Sequence, residues 1–293
     1  MLTSQLEAYT VIGLTVGGAL SLAALGIVLV YRVTGVLNFA NGAMGMFSTF
    51  VAWQIVYPLH GPVWLGVLAA LIFSVGMGLG LELFVFRWLV GRPQLVKAVV
   101  TIGILLVLQS AASLIWGNTQ YHLPINLVPA QAHVNIARVP VGYSQLLVMF
   151  VAVTLSLGLA AFLQMSRFGI AMRAVSDDPA AAGLWGVPVR WVGAVSWMLG
   201  SLVAAIAGIL ISPFINFDTI SLTLLVLDAL AAALIGGLVS LPLTVIGGFA
   251  LGLLETYPRI WVQSQDFPKL IALLVILAVL IFRAKRVLLE KQA

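Results

Sequence analysis

The chain has 293 residues, of which 62% are hydrophobic and only 8% charged, with a mean hydropathy of +1.16. Apolar runs longer than a soluble core helix recur along its whole length, which leaves no room for a water-soluble domain of useful size and marks a polytopic membrane protein. The net charge of +5 comes from a few residues between those runs, so it reports topology and not nucleic-acid binding; the absence of cysteine excludes disulfides, thiolate metal sites and a cysteine nucleophile.

The opening stretch MLTSQLEAYT lacks a basic region, so the first apolar run, 9–30, is expected to be a retained span and not a cleaved signal. Eight further runs follow: 43–57, 62–86, 95–116, 144–165, 191–211, 220–238, 242–257 and 268–282. If all nine cross, the termini lie on opposite sides. Placing the N-terminus outside puts Arg32, Arg87, Arg92, Lys97, Arg167, Arg173, Arg190, Arg283, Lys285, Arg286 and Lys291 inside, and only Arg138, Arg259 and Lys269 outside. That asymmetry follows the positive-inside rule. The expected fold is an all-α transmembrane helix bundle of about eight to nine segments, a single domain over 1–293, with the N-terminus outside and the C-terminus inside.

Two of the runs are short. As helices, 43–57 would span about 22 Å and 242–257 about 24 Å, against a hydrocarbon core of about 30 Å. Each follows a glycine-containing break, Gly35 through Gly42 in one case and Gly236–Gly237 with Ser240 in the other. Interrupted segments in corresponding halves point to a transport pathway, because broken helices expose backbone groups at membrane depth; two tilted spans at a packing site are the plainer alternative. Asn38 and Asn41 flank the first break, where their amides either line a polar cavity or cap the next helix, the commoner use.

Small residues four apart, Gly13 with Gly17, Gly76 with Gly80, Gly248 with Gly252, and Gly200, Ala204, Gly208, predict close helix contacts. Glu82, near Arg87, reads as one half of an interfacial ion pair. The loop 117–142 is the longest polar stretch outside, with Pro124, Pro129 and Pro140 and an alternating run over 133–141. It is expected to be a structured cap or a seat for a soluble partner.

The loop 166–190, SRFGIAMRAVSDDPAAAGLWGVPVR, is a compact charged element between long apolar runs. Asp178 before Pro179 is a helix start, since the carboxylate caps orphan N–H groups and proline suits the first helical position. Ala180 to Ala182 continue the helix, Gly186 ends it, and Pro188 prevents its extension. About two turns of small-residue helix, 179–185, flanked by Arg173 and Arg190, suit docking into a groove on another protein.

Among the apolar runs, Asp228 is the deepest ionisable group, and a charge there costs about 2.5–3.5 kcal/mol unless a partner or water answers it. Glu255 lies near the outer end of a short run. His60, His122 and His133 all fall in outer loops. No paired carboxylates, nucleophile elbow or phosphate loop are present, so no catalytic residue, metal site or cofactor is expected.

Two long motifs are recognisable. VYRVTGVLNFANGAMGMFSTFVAW resembles the N-terminal signature of permease subunits of the branched-chain amino-acid ABC transporter family. SRFGIAMRAVSDDPAAAGLWGVPVRWVGAVSWMLGSLVAAIAGIL, followed by LIGGLVSLPLTVIGGFALGLLE, is similar to that family's cytoplasmic loop and glycine-rich C-terminal half. The resemblance implies a transmembrane subunit of an importer in the bacterial inner membrane. Its implied partners are a second related permease (or a second copy of itself), two ATPase subunits and an extracytoplasmic binding protein. It further implies that Arg173, Ala174, Asp178, Ala181, Ala182 and Gly186 belong to the loop that docks on the ATPases. Asn41, Gly42 and Ala43 depart from the family's histidine, glycine and glutamate; Val239 and Leu243 replace glycines, and Asp228 stands where a basic residue is common. Those departures lie along the candidate pathway, Asn38, Asn41, Gly42, Asp228, Gly236 and Gly237, and leave the substrate open, with branched-chain amino acids as the default. A stand-alone carrier or channel using Asp228 is the competing reading.

Overall fold

Thirty-three consecutive residues, Leu2–Thr34, form α1, a helix of about 50 Å that the other elements surround. The computed structural model describes residues 2–123, 133–136, 139–215, 217–261 and 267–290. After α1 come α2 (Asn41–Val56), α3 (Val63–Phe84), a 3-10 turn at Phe86–Trp88 and α4 (Gln94–Trp116). A two-stranded antiparallel hairpin, β1 (His133–Ile136) and β2 (Val139–Gly142), leads into α5 (Tyr143–Met165). Then follow α6 (Arg167–Asp177), α7 (Pro179–Leu184), α8 (Val189–Ile211), α9 (Ser221–Ile235), α10 (Leu241–Thr256), a 3-10 turn at Tyr257–Ile260 and α11 (Phe267–Glu290).

The helical expectation holds, and the alternating outer run supplies the hairpin. Pro124, Pro129 and Arg138 lie outside the described residues. Among those described, six helices are long and apolar enough to cross a membrane, with shorter apolar helices at Ser221–Ile235 and Lys269–Val279. The short run 242–257 proves longer than its sequence boundaries suggest. The 3-10 turn containing Pro258 extends α10 into an apolar stretch of 20 residues, Leu241–Ile260. The 15-residue α9 and 16-residue α2 are the short elements.

Without a hydrophobic force between helices in lipid, close packing and hydrogen bonds must hold them, and small residues permit both. Two of the glycine pairs meet each other. A Cβ added at Gly17 would lie 2.8 Å from Phe249 Cα, and one at Gly252 would run into the backbone of Gly13 and Gly17. Ser21 fastens the same crossing, its hydroxyl reaching the carbonyls of Gly17 at 2.7 Å and Val245 at 3.0 Å. On α8 the small stripe serves two partners: Gly200 meets Gly26 of α1, and Gly208 meets Gly45 of α2. Among the described residues, nothing lies within 4 Å of a Cβ added at Gly76 or Gly80; α3 approaches α8 through Gly78, against Trp197 and Ser201. The outer helices α3, α4 and α5 turn residues such as Ile72, Val107, Leu114, Phe150 and Leu157 outward, as lipid-facing helices do.

Gly252→Leu should therefore force α1 and α10 apart, costing at least about 1–3 kcal/mol. Gly80→Leu should leave the purified chain unchanged. Thermal unfolding in detergent distinguishes them, and equal melting temperatures would refute the crossing.

Candidate functional site

The first break is a re-entrant one. Gly35 turns the chain at the end of α1 with a φ of +67°, and Asn41 at the start of α2 donates its amide to Ala23 O at 3.0 Å. Ala23 lies eleven residues before Thr34, so residues 35–40 run back along α1 by about 16 Å before α2 begins. Non-helical backbone at that depth requires partners inside the protein. Thr101 of α4 provides them: its hydroxyl accepts from Phe39 N at 3.3 Å and shares its one proton between Leu37 O at 3.0 Å and Ala98 O at 2.8 Å. Thr101 is fully buried, and nothing in the sequence distinguished it: a lone threonine in an apolar run is common, and its task depends on a loop sixty residues away.

Neither asparagine caps α2, whose N-cap position is Ala40. Asn38 instead sends its amide to Met44 Sδ at 3.5 Å, and the Oδ1 atoms of both residues are buried without a hydrogen-bond partner. Gly42 abuts Thr223 O and Val226 of α9. Asn41 and Gly42 border a cavity of about 20 Å³ among α1, α2, α8 and α9, which has room for one water and not for a solute.

The remaining candidate pathway residues lie elsewhere. Gly236 and Gly237 form the turn between α9 and α10, with Gly237 at φ +72° and Leu238 at +62°. The residues that follow, Val239 to Pro242, border a cleft of about 400 Å³ shared with Arg32, Gln164 and Arg173, so this turn sits at the same end of the bundle as α6. Asp228, half-buried on α9, lies within electrostatic reach of Lys269 on α11 and Glu255 on α10, and Glu255 within reach of Arg259. The structure thus brings Asn38, Asn41 and Gly42 together, sets Gly42 against α9 two residues before Asp228, and places the Gly236–Gly237 turn at the α6 end.

The candidate coupling residues do form one unit. Ser166 caps α6, accepting from Gly169 N at 2.9 Å, and Met172 and Val175 bury its inner face. Arg173 donates to Leu163 O at 2.6 Å, pinning α6 to the end of α5. Ala174 O receives Asp178 N at 3.1 Å, and the Asp178 carboxylate caps α7 through Ala180 N at 2.8 Å and Ala181 N at 3.1 Å. Ala182 is buried against the bundle. Gly186 stands at φ +81°, where Val187 N closes on Ala182 O at 3.0 Å and ends the helix. The helix has six residues, one fewer than expected, because Trp185 already leaves helical geometry. Two features went unread in the sequence. One is α6, signalled by the Ser166 cap and the i,i+4 pair Phe168 and Met172. The other is the apolar tip of α7, where Leu184 and Trp185 are 90% and 89% exposed.

A family model described as the branched-chain amino acid transport system permease component matches residues 9–282. This chain belongs to that permease family. The high-affinity branched-chain amino acid transport system permease protein BraD of Pseudomonas aeruginosa is 30% identical to it, over 94% of this chain and 93% of that protein. LivH of Escherichia coli, a permease protein of the same description, is 28% identical over 86% of each chain. The probable LivH permease of Methanocaldococcus jannaschii is 29% identical over 89% of this chain and 86% of that one. Among solved structures, PsaBC from Streptococcus pneumoniae in complex with Fab aligns with a TM-score of 0.51 at 14% identity, covering 95% of both chains, a likeness of fold alone. Family membership and six long apolar helices identify a multi-pass membrane transport permease.

In this permease the break should depend on Thr101. Thr101→Val leaves Phe39 N–H and Leu37 C=O only the 3.2 Å bond to each other and should destabilise by about 1–3 kcal/mol, whereas Thr101→Ser should keep most of the stability. Melting curves of both variants test this. Asp178→Ala should remove about 0.5–2 kcal/mol from α7, read as roughly 2- to 30-fold faster amide exchange at Ala180 and Ala181.

Proposed function

We propose that this chain is the transmembrane subunit of an ATP-driven importer, moving an amino acid, branched-chain by default, or a similar small polar solute inward across the bacterial inner membrane. The observation that carries the reading is the α6–α7 unit. It is anchored to the bundle through Arg173, Met172, Val175 and Ala182, yet it presents Leu184 and Trp185 almost fully bare on a capped helix tip. A tip so apolar within a charged loop suits a groove on a soluble partner, and its fixed base would transmit that partner's motion to α5 and α8. Two ATPase subunits fit that role, with an extracytoplasmic binding protein at the opposite face.

Arg32 and Arg173 border one cleft at the α6–α7 end, and Arg87, Lys97 and Arg190 border another there. This gathering of basic residues supports a cytoplasmic placement of that end, with the N-terminus outside. The one-water void at Asn41 and Gly42 favours a pathway that opens between two permease subunits, or one lined by these residues only when α2 and α9 part. The carrier reading rests on Asp228, with Lys269 and Glu255 within electrostatic reach, and lacks the anchored, bare-tipped docking unit that supports the importer.

The test is purification of the tagged permease from its host in mild detergent, with mass spectrometry of what accompanies it. Two ATPases and a second permease are expected; an active, partner-free protein would refute the importer reading. In the reconstituted assembly, joint Leu184→Ala and Trp185→Ala substitution should lower uptake at least tenfold with membrane insertion unchanged. Gly186→Trp, which places a Cβ in the left-handed region and bulk at the helix end, should abolish uptake. Undiminished uptake by either would count against the docking role.

A further inference from the structure

We propose that α4 is the helix on which the second permease subunit seats, with Gln109 as the polar contact between the two subunits. The inference rests on the importer reading, which requires that subunit, and names the face it covers. Of the six long apolar helices α4 is the least buried, and within the chain it packs mainly against α2. Its inner face is Thr101, Leu105, Leu108 and Ala112, which close over the break and the core. Its outward face runs through Val99, Ile102, Leu106 and Ser110, all exposed, with half-buried Gln109 at its edge.

The polar side chains of this helix are unequally served. Thr101 is spent on the break, Ser113 Oγ lies 3.2 Å from Thr219 Oγ1, and Trp116 donates to Gln54 Oε1 at 2.9 Å. Gln109 and Ser110 have no hydrogen-bond partner among the described residues. A serine hydroxyl can fall back on a carbonyl of its own helix, but a glutamine amide has two N–H donors and a carbonyl to satisfy. Gln109 lies about 10 Å from the C-terminal end of α4, inside the apolar stretch, where acyl chains offer no hydrogen bond. Lipid is therefore a poor occupant. The bare face of α11, Leu270, Leu273, Leu274 and Leu277, is uniformly apolar, as a lipid-facing surface should be. Depth excludes a soluble partner. What fits the α4 face is another transmembrane helix that sets a donor or acceptor against Gln109, since amides and hydroxyls fasten membrane helices to one another. The second permease is the membrane-embedded partner that the importer reading supplies. Because the opposite face of α4 holds the break through Thr101, this seat leaves the break one helix away from the subunit boundary. That placement agrees with a pathway that opens between two permeases.

The chain has no cysteine, so one introduced thiol can carry a benzophenone cross-linker in the whole transporter, in membranes of its host. From Ser110→Cys the probe should label the second permease at least about tenfold more than from Leu277→Cys on α11. Gln109→Leu gives up no hydrogen bond inside the chain. It should lower the second permease retained on purification about fivefold, with the melting temperature of the chain purified alone unchanged. Labelling of lipid alone from position 110, equal labelling from both positions, or full retention by Gln109→Leu would overturn the proposal. So would ready alkylation of the position-110 thiol by a charged, membrane-impermeant reagent, which would mark a water-filled surface. A second permease that co-purifies yet goes unlabelled from position 110 would overturn this interface and leave the importer reading standing. A transporter with no second permease would overturn both.

Discussion

Backbone-to-backbone contact along α1 is the constraint on which the remaining architecture depends. At Gly13 and Gly17 the helix lies against Gly248 and Gly252 of α10, and at Gly26 against Gly200 of α8. An added Cβ would come closer than 3.0 Å to a neighbour at Gly17, Gly26, Gly200, Gly248 and Gly252, so van der Waals contact extends along the helix axes instead of stopping at side-chain tips. Ser21 adds a hydroxyl bridge within one crossing. With α1 held on two sides, the short helix α9 packs along it, and α2 lies against α3, α8 and α9.

That support makes the re-entrant break tolerable. Residues 35–40 carry backbone groups into an apolar interior, and they persist because Thr34, Thr101 and the chain itself answer them. The same accounting leaves Asn38 and Asn41 each with an unused acceptor, Asn41 beside a one-water void among α1, α2, α8 and α9.

At the other end, the α6–α7 unit combines a rigid base with an apolar, exposed tip, and both adjoining clefts carry arginine. The base is built from local chemistry: two caps, one glycine in the left-handed region, and one arginine on a helix-end carbonyl. Such motifs act within a few residues of each other. They let the loop hold its shape at a surface, while Met172, Val175 and Ala182 tie it to the main core.

Much of this was legible in the residues. Asp178, Pro179 and Gly186 are sufficient to bound α7, because capping and left-handed glycine are local rules. Apolar run length located the helices, with α10 cut short because Pro258 hides a 3-10 extension. The family resemblance, carried by two long motifs, agrees with the family model and with curated relatives over most of the chain. What the residues alone left open involves distance in the sequence. Only the tertiary structure paired Gly13 and Gly17 with Gly248 and Gly252 while leaving Gly76 and Gly80 bare, gave Thr101 to the break, and moved Arg87 from Glu82 to Trp88. A glycine pair or a buried threonine reads the same in every helix, and its partner is set by which faces meet once the whole bundle closes.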